Sequence, residues 1–153
     1  MTAVLLATAL QAIPAHASPA LQGCWYSRDT KITNSELSNA DCESGTYFHL
    51  QQTLNSFAVD VFYFQCKQNV AVFGKGGPYT VSGSSIMNQS EVVGTMDENT
   101  LSVNFRDPEL DEFSETLQWI QDGPALRFTA KLNGPDKVLR ELKGTLKKVR
   151  CLE

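Results

Sequence analysis

Between Thr46 and Val149 the chain is cut into short runs of β-branched and aromatic residues, separated at close intervals by turn-forming clusters. The runs are "TYFHLQQT" (46–53), "FAVDVFYFQC" (57–66), "NVAVFG" (69–74), "YTVSGSSIM" (79–87), "SEVVGTM" (90–96), "TLSVNFR" (100–106), "FSETLQWI" (113–120), "ALRFTAKL" (125–132) and "LRELKGTLKKV" (139–149). The breaks are Lys75-Gly76-Gly77-Pro78, Asp97-Glu98-Asn99, Asp107-Pro108, Asp122-Gly123-Pro124 and Asn133-Gly134-Pro135-Asp136. Glycine reaches positive φ without a Cβ clash, proline presets a turn, and Asp and Asn bond their own backbone. With a first strand from Gly23 to Arg28, this spacing predicts about eight to ten short antiparallel strands. A meander of that kind buries its apolar faces as a closed barrel or a sandwich. The expected fold class is all-β, an antiparallel up-and-down barrel.

Alternation sorts the faces. Leu101, Val103 and Phe105 share one side of their run, and Phe113, Leu117 and Trp119 do the same with Glu115 among them. Leu126, Phe128, Ala130 and Leu132 stand opposite Arg127, Thr129 and Lys131. This is the apolar-in, polar-out pattern of a sheet with one wet face. "FAVDVFYF" is different: Phe57, Val59, Val61 and Tyr63 fall on one side, Ala58, Phe62 and Phe64 on the other, with Asp60 between them. Strict alternation makes that strand apolar on both faces. "DTKITNSELSNADCESG" (29–45) is polar and reads as a long loop between the first two strands.

The first residues, "MTAVLLATALQAIPAHA", hold an apolar run from Ala3 to Ile13 and a small-x-small pattern at Ala15-His16-Ala17. They read as a signal peptide spanning residues 1–17, with cleavage after Ala20 as an alternative. No Lys or Arg precedes the run. The apolar stretch is too short for a permanent membrane helix, and Pro14 and Pro19 interrupt a helix there. Residues 18–153 then form one domain, large enough to bury a core. The expected location is secreted or periplasmic.

Cys24, Cys42, Cys66 and Cys151 all follow the signal, and an even count in an exported chain favours two disulfides. Three pairings are open. In a sheet that closes on itself the first and last strands are neighbours, which brings Cys24 and Cys151 within reach and leaves Cys42 to tie the long loop to Cys66. No Cys-x-x-Cys is present, and His49 is the one histidine after the signal, so neither a metal nor a cofactor is expected. A net charge of −4 argues against a nucleic-acid partner. The basic residues Lys143, Lys147, Lys148 and Arg150 suit the wet face of a last strand.

Signs of catalysis are weak. A hydrolase needs a nucleophile, a base and an orienting group, and "VSGSS" (81–85) lacks the form of a nucleophile elbow. "GKGGP" (74–78) lacks the ending of a phosphate loop and reads as a hairpin turn. "DPELDEFSE" (107–115) reads as a solvated acidic loop, and Asn88-Gln89-Ser90 is a glycosylation sequon if the host is eukaryotic. The expectation is a protein that is not an enzyme. An active site built from His49 and a carboxylate is the weaker alternative.

"LQGCWYS" (21–27) places Gly23 and Trp25 on one face and Cys24 on the other. The glycine permits sharp coiling. The tryptophan plugs a barrel end, with Lys148 or Arg150 able to lie over its ring. Gly23-Cys24-Trp25, together with the basic "KKVR" at the end of the last strand, resembles the Gly-x-Trp and the packed arginine of the lipocalins and the wider calycin superfamily. The mature chain is shorter than most lipocalins, has no Thr-Asp-Tyr motif and shows no C-terminal helix, so the likeness is to the superfamily.

The resemblance implies a barrel pocket for a small hydrophobic molecule. Alternation then offers Trp25, Tyr47, His49, Phe57, Val59, Val61 and Tyr63 from the first half of the chain. Leu101, Val103, Phe105, Leu117, Trp119, Leu126 and Phe128 come from the second. The same side chains would serve equally to fill a closed core. In that case the protein is an interaction module, such as a secreted protease inhibitor or an envelope accessory factor. Its partner protein would then meet "SPALQGC" or the loop at 29–45.

Overall fold

The computed structural model describes residues 19–33, 45–66, 69–73, 75–106 and 109–152. The expected signal peptide, most of the long loop and the pairing of Cys42 with Cys66 lie outside the described residues. Among the described residues twelve strands follow one another: β1 (Gly23–Ser27), β2 (Lys31–Thr33), β3 (Gly45–Gln52), β4 (Ser56–Cys66), β5 (Asn69–Phe73), β6 (Gly76–Ser82), β7 (Ser85–Asn88), β8 (Glu91–Met96), β9 (Thr100–Arg106), β10 (Ser114–Asp122), β11 (Ala125–Asn133) and β12 (Val138–Val149). All pair antiparallel in one sheet, in the order β1-β3-β4-β6-β7-β8-β9-β10-β11-β12, and a β1–β12 ladder closes the ring. β5 lies along β4 and β2 along β12, off that ring. The fold is the expected all-β, up-and-down antiparallel barrel. Among the described residues no helix is long and apolar enough to cross a membrane.

The turn chemistry explains most of the path. Gly123 takes φ 59° in the two-residue turn between Asp122 and Ala125, and Asp97 accepts from the backbone N–H groups of Asn99 and Thr100 in the β8–β9 turn. Two expectations are corrected. "YTVSGSSIM" is a hairpin and not one strand, because Gly83 at φ 60° turns β6 back so that Val81 faces Ile86. Lys75 to Pro78 is no hairpin turn. Phe73 opposes Phe62 and Gly76 opposes Val59, so β5 and β6 run the same way along β4 as one interrupted strand.

Closure rests on the first and last strands. Cys24 and Cys151 form a disulfide with their Cα atoms 5.2 Å apart. Trp25 sits opposite Lys148, whose Nζ lies 5.6 Å from the ring centroid. The cation on the tryptophan is therefore Lys148, and Arg150 is exposed. Gly23 adopts φ 122°, a backbone that L side chains rarely take, and a Cβ there would stand 3.0 Å from the Lys148 Cε. Trp25 Nε1 donates to the Leu21 carbonyl at 2.7 Å, so the polar atom of the plug is satisfied inside it.

The centre is aromatic. Phe48 stacks on Phe62 with centroids 4.6 Å apart and meets Trp119 and Phe128 edge-on at 5.4 and 5.3 Å; Phe57 meets Trp119 at 5.6 Å. Leu50, Leu101, Leu126 and Leu146 complete this half and are fully buried. Each such side chain contributes about 1.5–3 kcal/mol by leaving water.

Candidate functional site

The barrel wall is uneven. The β9–β10 and β10–β11 ladders run the length of their strands, from Ser114 to Ile120 and from Ser114 to Asp122. The wall made by β6, β7 and β8 is short. β6 pairs with β4 only from Ser56 to Val59, with a register shift inside that span, and β8 pairs with β9 only from Gly94 to Met96. Beyond Val103 the β8 side of β9 leaves the ladder, so Asn104, Phe105 and Arg106 are held by β10 alone. A cleft of about 1050 Å³ opens at this place.

The cleft reaches inner-face residues. Val59 and Phe62 of β4, Leu117 of β10 and Leu132 of β11 form its apolar depth, and Tyr79 and Phe105 flank it with ring centroids 5.8 Å apart. Phe105 lies so close to Gly76 that a Cβ there would fall 1.8 Å from a ring carbon, so only glycine lets the ring stand where it does. Lys75, Glu91, Arg106 and Asp111 are the exposed charges of the rim. Val92 and Leu110 on the same rim are more than half exposed.

One lining residue is charged and buried. Glu115 follows the inward phase of Leu117 and Trp119 on β10 and is 9 % exposed. It stands across Leu132 of β11 from Arg140 of β12, which is 8 % exposed. A single guanidinium nitrogen, Nη2, donates to both carboxylate oxygens at 3.1 and 3.0 Å. The guanidinium carbon also lies 4.9 Å from the Phe64 ring centroid. Burial pushes the Glu115 carboxyl above its ordinary value, and the Arg140 charge and hydrogen bonds oppose that without cancelling it. Glu115 lines the cleft, whereas Arg140 is not among its walls.

Ten of the fourteen candidate residues face inward, and three of these, Val59, Phe105 and Leu117, line the cleft. Trp25, Phe57, Leu101, Val103, Trp119, Leu126 and Phe128 pack into the core, outside the cleft lining.

Tyr47, His49, Val61 and Tyr63 are on the outer face, which corrects the expectation for them. On β3 the inner set is Thr46, Phe48 and Leu50, because Phe48 pairs in phase with Trp25. On β4 the register steps from His49↔Val61 to Leu50↔Val59, so Asp60 is a bulge residue without a partner in that ladder. The bulge resets the phase, and Phe57, Val59, Phe62 and Phe64 all point inward. The two-faced apolar strand is one inward face interrupted once. Asp60 instead faces His49 on the outside, with Oδ2 3.6 Å from Nδ1.

Sequence reading missed Phe62, Tyr79, Phe113 and Leu132 as wall residues and Glu115–Arg140 as a pair. A signal was present for the pair: each charge sits in the inward phase of its strand, Glu115 with Leu117 and Arg140 with Leu142 and Leu146. Elsewhere, Cys24, His49 and Cys151 bring possible ligand atoms within 4.8 Å of one another, but both sulfurs are committed to the disulfide.

No protein-family model, curated protein sequence or solved structure matches this chain.

Proposed function

We propose that this chain is an exported, calycin-like binding protein that carries or sequesters a small, largely apolar molecule in the cleft, and that it is not an enzyme. The carrying observation is the cleft of about 1050 Å³, walled by the half-buried Phe105, Phe113 and Leu132 over a floor of Val59, Phe62 and Leu117, which are themselves almost wholly buried. Small-molecule sites are concave and mostly apolar with a few placed polar groups; here the floor is apolar, and the wall adds Asn88, Asn104, Ser114 and five charged residues, of which Glu115 is buried. The Gly23-Cys24-Trp25 start, the Lys148 cation over Trp25 and the closed up-and-down barrel support the calycin-like reading.

The interaction-module reading has less support. Ala20 and Leu21 donate their backbone N–H groups to the side chains of Gln121 and Gln52 at 2.8 Å, which ties the start of the barrel domain down.

Native mass spectrometry of the protein secreted into an oxidising compartment tests the proposal, alongside a Leu117→Trp variant that fills the cleft. A mass excess lost on denaturation, absent from the variant, is the expected result. The bare mass in both proteins, with no uptake of alkyl or aromatic compounds by either, would overturn it.

A further inference from the structure

We infer that the ligand of the cleft carries a protonated amine on an apolar body, and that Glu115 is the residue that binds the amine; this rests on the cleft being a ligand site. Of the charged residues lining the cleft, Glu115 is the buried one. The rim charges, Lys75, Arg106, Glu91 and Asp111, are exposed and balanced in sign, so they favour neither ligand charge.

A carboxylate only accepts hydrogen bonds and has about four acceptor positions. Arg140 supplies one nitrogen to the two oxygens, and further acceptor capacity remains for a donor in the cleft. Because Arg140 is not part of the lining, the pair presents the cleft with its negative end.

The rest of the wall suits a cation. Phe62, Tyr79, Phe105 and Phe113 are lining aromatics, and the electron-rich face of such a ring attracts an ammonium group. A fatty-acid head group would instead bring a second carboxylate beside Glu115, with no buried cation among the described residues of the wall to receive it. An alcohol satisfies the acceptor but gains neither the charge assistance nor the ring contact.

The test uses three ligands of one chain length, dodecylamine, dodecanol and dodecanoate, titrated calorimetrically into the full chain at neutral pH below their aggregation limits. Dodecylamine should bind at least about tenfold more tightly than dodecanoate, the scale of a charge-assisted hydrogen bond. Glu115→Gln should remove that preference and leave dodecanol binding within about twofold. Since Glu115→Gln takes the carboxylate from a buried guanidinium, the double variant E115Q/R140Q is measured beside it, with both melting curves recorded. It removes both charges and should lose the same preference.

If dodecanol and dodecanoate bind as tightly as the amine, or if the amine preference survives in E115Q/R140Q, the amine inference falls while the cleft remains a ligand site. If none of the three binds to wild type or to either variant, the cleft reading falls with it.

Discussion

The two halves of this barrel are made from the same alternating strands and end in opposite ways. Around Trp25, Leu50, Trp119 and Leu126 the inner positions interlock, and Trp119 is fully buried. Above the buried Val59 and Leu117 the same apolar phase ends in the half-buried Phe105 and Leu132, which border a cleft of about 1050 Å³. Apolar content does not make the difference, since both halves are rich in Phe and Leu. The length of the wall does. The hairpin β6–β7 turns at Gly83-Ser84, β7–β8 turns at Gln89-Ser90, and β8 leaves β9 at Gly94, so these three strands cover one half only. A barrel can therefore be filled at one level and open at another without any change in the character of its residues.

The sharpest way to break this comparison is to truncate one large aromatic in each half. Trp119→Ala should cost about 3–5 kcal/mol of stability, because a void in an interlocked core collapses poorly. It should leave ligand affinity of the folded protein unchanged, since Trp119 is not part of the cleft wall. Phe105→Ala should cost less, about 1–2 kcal/mol, since Phe105 is half-buried and borders open space. It should change ligand binding, as it removes one flank of the cleft. Denaturant titrations give the two stabilities and calorimetry gives the two affinities. Equal losses of stability, or a binding defect confined to Trp119→Ala, would show that the halves do not differ as described.

How far this contrast could be read from the chain differs by region. The barrel class follows from local chemistry, turn residues at short intervals between alternating strands, whereas Cys24–Cys151 is one of three pairings open to the sequence, and the choice of Lys148 over Arg150 is made by the β1–β12 register. The inner faces of β9, β10 and β11 follow from uninterrupted alternation, which puts Leu101, Val103, Phe105, Leu117, Trp119, Leu126 and Phe128 on the core side, where they pack. The β4 face did not follow, because one bulge at Asp60 moves Val61 and Tyr63 outward and brings Phe62 and Phe64 in. Nothing local marks the bulge except an acid in an apolar run. Tyr47 and His49 fail for a simpler reason: β3 offers two plausible faces, and the choice is made by Trp25 across the ladder from Phe48. The cleft itself was not legible at all. It depends on where three short strands stop relative to β4 and β9, and that is a property of register between distant segments.

The smallest effect separates the buried carboxylate of the open half from one on the barrel's exterior. Glu115 is held above its ordinary value of 4.5 by burial, with Arg140 opposing, whereas Glu141 on β12 is held below 4.5 chiefly by its hydrogen bond from Lys143 at 2.7 Å, helped by Lys131 at 3.3 Å. The signs are opposite. As pH falls from neutral toward 4.5, folded Glu115 takes up its proton before the unfolded chain does, so this group makes folding more favourable as pH falls through that window and less favourable as pH rises through it. Glu141 contributes stability that is present above 4.5 and is lost only as pH falls further, through its lowered value. Between neutral pH and 4.5 the two therefore separate. Wild type should gain stability relative to E115Q/R140Q as the pH is lowered across that range, with a slope no steeper than about 1.4 kcal/mol per pH unit for one proton. Denaturant unfolding of both proteins at a series of pH values measures the difference. A flat difference, or one of the opposite sign, would mean that Arg140 and water from the cleft solvate the carboxylate as well as bulk solvent does, and the open half would then be wet to the depth of Glu115.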